Sequence, residues 1–171
     1  MKETVQQYIS RILAFSEGKD PIGILESTSE RLTALVNSTP AERWDHRPTP
    51  DKWSPREVLA HLADVEIVTG WRMRSILASN GAPLQPFDQA EWAAALKYSD
   101  ADIHESLATF SAVRASLLSL LTRVDGARLE HHGMHAERGK ETITHLLKLY
   151  AGHDLNHLGQ IEARLKDTPL S

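Results

Sequence analysis

An all-α helical bundle is the fold this 171-residue chain predicts, and three observations predict it. Leu and Ala contribute 22 and 19 residues against 9 Ile and 7 Val, a balance that favours helix over strand. Apolar residues recur at helical spacing along successive segments, and no alternating run of strand length interrupts them. Helix start and stop signals punctuate the same segments, most clearly at Ser54. At 19.1 kDa the chain suits one domain, residues 1–171, with residues 1–17 as an N-terminal helical extension.

The elements follow in order. From Lys2 to about Phe15, Val5, Tyr8, Ile9, Ile12 and Leu13 share one helical face, and Gly18 ends the segment. A second helix runs from about Pro21 to Val36 and buries Ile24, Leu25, Leu32, Leu35 and Val36. Pro40, Pro48 and Pro50 make the loop beyond it. Ser54-Pro55-Arg56-Glu57 then combines an N-cap, a Pro at the first helical position and a Glu three residues after the cap. That third helix reaches about Ser79, where Asn80-Gly81 stops it, and Gly81–Pro86 reads as loop. Phe87–Lys97 is a short helix carrying Trp92. Ser99 and Asp102 form a candidate capping box for a helix with Ile103, Leu107, Phe110, Leu117 and Leu121 on its stripe. Val124–Lys140 is irregular, with Gly126, Gly133 and Gly139. Thr142 opens the last helix, which runs to about Lys166 with Pro169 beyond. Short links predict mostly antiparallel neighbours; the order of helices around the bundle stays open.

Composition narrows the function. Net charge is −4 and the isoelectric point about 6.1, without the Lys and Arg cluster that a phosphate backbone requires, so no nucleic-acid partner is expected. The absence of cysteine excludes disulfides, iron–sulfur clusters, thiolate zinc sites and a cysteine nucleophile. The longest uncharged apolar patch, Ala115–Leu121, is far short of the ~20 residues that span a bilayer. No apolar run follows the charges of the N-terminus, so the expectation is a cytoplasmic protein with no membrane partner.

Nine histidines remain, and three of them face inward. His153 and His157 are four apart, one above the other on a helix, and fall inside the stripe Ile143, Leu146, Tyr150 and Ile161. His61 shares a face with Val58, Val65 and Val68 on the third helix. Three imidazoles from two helices can converge on one divalent cation, and three protein ligands leave a coordination position open, as catalytic zinc sites do. The plain alternative is three separate core histidines bonded to backbone or carboxylates. His131 and His135 share the four-residue spacing but flank Gly133 in a region read as solvated loop, with His135 near the mouth of a site. His145 is rotated off the stripe, and His46 and His104 have no partner in the sequence.

Arg72 returns to the angle of His61 and can meet an anionic substrate group or snorkel to water. Gln160 lies near the angle of His153 and can orient a ligand or a bound water. Asp64, nearly one turn from His61, can orient a ligand imidazole. Arg114 requires a carboxylate, with Glu66 and Asp64 as candidates. Trp44, Trp53, Trp71 and Trp92 read as core or pocket wall.

Trp53-Ser54-Pro55-Arg56-Glu57-Val58-Leu59-Ala60-His61-Leu62-Ala63-Asp64-Val65-Glu66 and Gly152-His153-Asp154-Leu155-Asn156-His157-Leu158-Gly159-Gln160-Ile161 resemble the DinB/YfiT-like superfamily. The resemblance extends from about Pro21 to Lys166 and includes the Asp88–Trp92 segment. It implies an up-down-down-up four-helix bundle with a long crossover that carries the short helix. It implies one divalent metal ion, Zn or Ni, held by three histidines that here match His61, His153 and His157. It further implies a homodimer acting on a small-molecule substrate, either as a hydrolase or as a transferase that uses a low-molecular-weight thiol. No residue is assigned as general base. The rival expectation is a non-enzymatic helical binding or stress-response module whose metal is structural or absent.

Overall fold

Thr4, Asp20, Ser54, Asp88 and Asp102 each take backbone N–H groups onto their side-chain oxygens, and each starts a helix. The computed structural model describes residues 3–167. The helices are α1 (Val5–Ser16), α2 (Pro21–Ser38), α3 (Pro55–Ala78), α4 (Gln89–Ala95), α5 (Ile103–Leu121) and α6 (Ile143–Asp167). The expected start at Lys2 and the Pro169 terminator lie outside the described residues; Thr4 is extended and α1 begins at Val5. Ser54 and Glu57 form the reciprocal capping box that the sequence predicts. Ser99 has no such role: it sits in a 3₁₀ turn, Tyr98–Asp100, and Asp102 alone caps α5.

Two segments read as loop and irregular chain contain strands. β1 (Ala82–Leu84) pairs in parallel with β2 (His132–His135), which pairs antiparallel with β3 (Gly139–Thr142). Each strand is too short to show an alternating pattern; β1 finds its partner some fifty residues on, while β2 and β3 form a hairpin. Gly133 permits the close pairing, since a Cβ there would stand 2.5 Å from the Leu84 side chain.

Four helices close a ring in which α2 packs on α5 and α6, and α3 packs on the same two. Arg56 donates to Ala101 O at 2.7 Å and Arg74 to Ser116 Oγ at 2.8 Å, so α3 and α5 run parallel. Arg31 reaches Glu162 at 2.6 Å while Leu25 and Asp154 share one guanidinium, so α2 and α6 run parallel too. His61 beside His153, with Arg72 beside Tyr150, makes α3 antiparallel to α6. The sense is up-down-down-up, with β1, α4 and the 3₁₀ turn in the crossover between α3 and α5. The expectation of mostly antiparallel neighbours fails for two of the four adjacent pairs, because the links are long: residues 39–54 and 122–142 join helices across the ring, and residues 79–102 join the parallel pair α3 and α5.

α1 packs outside the ring along α6, antiparallel to it, with Ser16 Oγ donating to Lys148 O at 2.8 Å. Gly152 makes this approach possible: a Cβ there would lie 2.1 Å from the Ile12 carbonyl oxygen. Among the described residues, no helix is long and apolar enough to cross a membrane.

The apolar core forms two clusters. One gathers Ile9, Ile12, Met73, Ile76, Leu146 and Ala151; the other gathers Leu32, Trp44, Leu62, Phe110, Leu158 and Ile161. A buried polar layer lies between them along α6, at His153, Asp154 and His157. Trp44 is core, and Trp71, though 71% exposed, forms with Trp92 part of the wall of a cavity, both within the expectation of core or pocket wall.

Candidate metal centre

The polar layer begins with Arg114, which is 2% exposed and needs buried anions to be tolerated. Its fork meets Glu66 at 2.7 and 2.9 Å, Nη1 reaches Asp154 at 2.7 Å, and Nη1 also donates to Leu25 O at 2.8 Å. One guanidinium therefore joins all four helices of the ring. Glu66 is one of the two partners the sequence proposes; the other is Asp154 rather than Asp64. Burial raises both carboxyls from their ordinary range, while the guanidinium pulls them down.

One residue from Asp154, the three inward histidines converge. His61 Nε2 and His153 Nε2 are 3.2 Å apart, and the ring centroids of His153 and His157 are 4.3 Å apart. One ligand nitrogen from each ring can be chosen so that all three lie within 4.8 Å of one another. Two nitrogens bound to one tetrahedral zinc at 2.0–2.1 Å would stand roughly 3.3 Å apart, close to the observed separation.

The electrostatics suit a cation as well. Burial pushes the His61 imidazole down to about 3, helped by His157. Burial likewise takes His157 to about 4 and holds His153 well below its usual range. All three are neutral at pH 7 and offer lone pairs. His61 Nδ1 and His153 Nδ1 are buried without a hydrogen-bond partner. Those atoms lie on the far side of each ring from the converging Nε2 pair; two neutral rings can share only one proton between the facing Nε2 atoms, and a cation placed there takes a lone pair from both. Nitrogen-only donors suit Zn, Ni, Cu or Fe rather than Mg or Ca.

The surrounding residues divide. Gln160 Oε1 lies 3.2 Å from His157 Nδ1, so His157 donates from Nδ1 and leaves Nε2 as its lone-pair nitrogen. Trp53 packs against His61 with centroids 5.0 Å apart and ring planes tilted by 50°, forming a wall, with Tyr98 edge-on to Trp53. Asp64 does not touch a ligand imidazole: Tyr98 donates to Asp64 Oδ2 at 2.6 Å. Burial and that carboxylate push the Tyr98 phenol up. Arg72 is not beside the triad: eleven residues from His61 correspond to ~16 Å along α3. Nor does Arg72 snorkel, being 4% exposed and bonded to Tyr150 at 3.2 Å. His131 lies outside the strands, as expected, and is half-buried, whereas His135 ends β2 and is buried rather than solvated. Sequence reasoning missed Asp154 and Tyr98. Asp154 sits between two ligands in one motif and was findable; Tyr98 is placed by a turn with no local signal.

A solved structure of YfiT from Bacillus subtilis, described as a probable metal-dependent hydrolase with an unusual four-helix bundle topology, superposes with a TM-score of 0.77. It covers 98% of this chain and 92% of that one at 20% identity. In sequence, the curated YfiT of B. subtilis, "Putative metal-dependent hydrolase YfiT", is 26% identical over 160 residues, covering 92% of this chain and 89% of that one. A protein of Oceanobacillus iheyensis, also named a putative metal-dependent hydrolase, is 29% identical over 114 residues, 67% of this chain and 66% of its own. The model of the DinB superfamily matches residues 24–161, from early α2 into α6, and so contains all three histidines. The chain belongs to the DinB superfamily.

Proposed function

We propose that this protein is a divalent-metal-dependent hydrolase of small molecules, with His61, His153 and His157 as the metal ligands. The observation that carries the reading is the meeting of three buried, neutral imidazoles with no fourth His, Asp or Glu joining them among the described residues. A structural site is usually closed by four protein ligands, whereas three leave room for water or substrate. The metal, when bound, supplies a Lewis acid that polarises a carbonyl or activates water. The names of the relatives support the class.

The chain's own residues do the positioning. α6 sets His153 and His157 one turn apart, and Gln160 fixes the tautomer of His157. Trp53 covers one face of His61 and excludes water from it. Asp64 and Asp154, the carboxylates that the sequence sets beside the ligands, are held by Tyr98 and Arg114, so neither is assigned as a base.

Zinc- and nickel-loaded protein should hydrolyse members of a panel of small esters and amides, with turnover lost on chelation and in His157→Ala. A parallel panel offers low-molecular-weight thiols with electrophilic acceptors. Metal-dependent transfer without hydrolysis would replace hydrolase with thiol transferase. Rates indifferent to chelation would refute the metalloenzyme reading.

A further inference from the structure

Arg72 on α3 and Arg114 on α5 are both buried and are treated differently. Arg114 has two carboxylates. Arg72 is almost as buried, yet no carboxylate lies within ion-pair distance of it among the described residues. Its contacts are the Tyr150 hydroxyl, the Gln85 carbonyl, the face of the Phe87 ring, whose centroid is 6.0 Å from Cζ, and His135 Nε2 at 3.4 Å.

The last of these contacts is not a hydrogen bond. His135 Nδ1 accepts from the backbone N–H groups of Glu137 and Arg138, at 3.2 and 3.3 Å. That nitrogen therefore carries a lone pair, and in the neutral ring the proton is on Nε2. Nε2–H and the Arg72 guanidinium are both donors, held side by side in a buried place with no acceptor between them. A buried cation without a carboxylate, with a second donor beside it, is costly to retain, and an anion reaching the guanidinium would offset that cost.

Arg72 also lines a cavity of about 450 Å³ on the outer side of α3. Its other walls include Val68, Trp71, Phe87 and Trp92, with Phe87 and Trp92 in ring contact at 4.6 Å. The volume falls within the range of small-molecule sites, and apolar walls with a few convergent polar groups are their usual make-up.

We propose that this groove binds a small organic carboxylate, with the carboxylate received by Arg72 and its apolar or aromatic body against Phe87, Trp92 and Trp71. The binding claim stands without the metal centre. That the ligand is a substrate of that centre rests on the proposed function.

The test is a titration of metal-stripped, full-length protein with 4-phenylbutyrate, read by tryptophan fluorescence, with 4-phenylbutanamide as the neutral control. Saturable binding of the acid is expected, with the amide and the Arg72→Gln variant each weaker by about tenfold or more. Circular dichroism checks that the variant folds. Trp92→Leu removes a wall without touching the buried network and should weaken the acid as well, whether or not Arg72→Gln folds. No saturable binding of the acid, equal binding of acid and amide, or a folded Arg72→Gln or Trp92→Leu with unchanged affinity would overturn the proposal. Because no metal is present, failure here leaves the metal reading untouched, and failure of metal loading leaves this result standing.

Discussion

An imidazole with an ordinary pKa near 6.5 is partly protonated at neutral pH, and protons then compete with any cation for its nitrogens. The surroundings of His61, His153 and His157 remove that competition by burial. The same depression links stability to pH. Between about pH 6.5 and the folded values, the unfolded chain binds more protons than the folded one, so stability rises with pH across that window. The contribution is complete above pH 6.5 and is lost as pH falls toward about 4 for His157 and about 3 for His61. Metal-free protein should lose on the order of a few kcal/mol between pH 7 and 5, seen as a falling urea midpoint. A His61→Gln/His157→Gln variant should show a flatter slope; an equal slope would place the titration elsewhere. Gln160 acts on one nitrogen. Gln160→Ala frees the His157 tautomer, and metal affinity should fall roughly 10- to 100-fold by dye competition. Unchanged affinity would deny Gln160 that orienting role. At this scale the inward histidines were legible because periodicity reports which face is buried. The partners of Asp64 and Arg72 were not, since both depend on the crossover, whose path the sequence does not declare.

Helices α1 and α6 meet where Gly152 leaves no side chain, directly before the candidate ligand His153. Gly152→Ala drives a methyl into the Ile12 carbonyl, and α1 must move away from α6. The expected cost is about 1–3 kcal/mol, read as a lower urea midpoint together with faster amide exchange in α1. A variant as stable as the parent would mean that the helices have room to separate. Elements with strong local chemistry were readable from sequence: Ser54-Pro55-Arg56-Glu57 starts α3 where its capping box predicts. The sheet was not. β1 has three residues and meets β2 some fifty positions later, so neither contains information about the other.

The ring of four helices is held across its centre by Arg114, which touches a residue from each of the other three. Arg114→Leu leaves Glu66 and Asp154 buried together without a cation, and about 3–5 kcal/mol of stability should be lost. A change below ~1 kcal/mol in urea unfolding would show that the network relaxes or hydrates freely. Parallel neighbours explain why Arg114's partners were only half foreseen: Asp154 becomes available when α6 lies beside α2 and across from α5, an arrangement that helix propensity does not encode. The same ring brings the two ligand-bearing helices together, antiparallel, so that residues 61, 153 and 157 share one level. Metal content of the tag-free protein, measured by elemental analysis after purification and after equilibration with Zn or Ni, tests this most directly. Close to one equivalent per chain is expected, falling to near zero in His157→Ala with the fold retained. A folded parent that takes up no metal, or a variant that holds as much as the parent, would contradict the assignment of the three histidines.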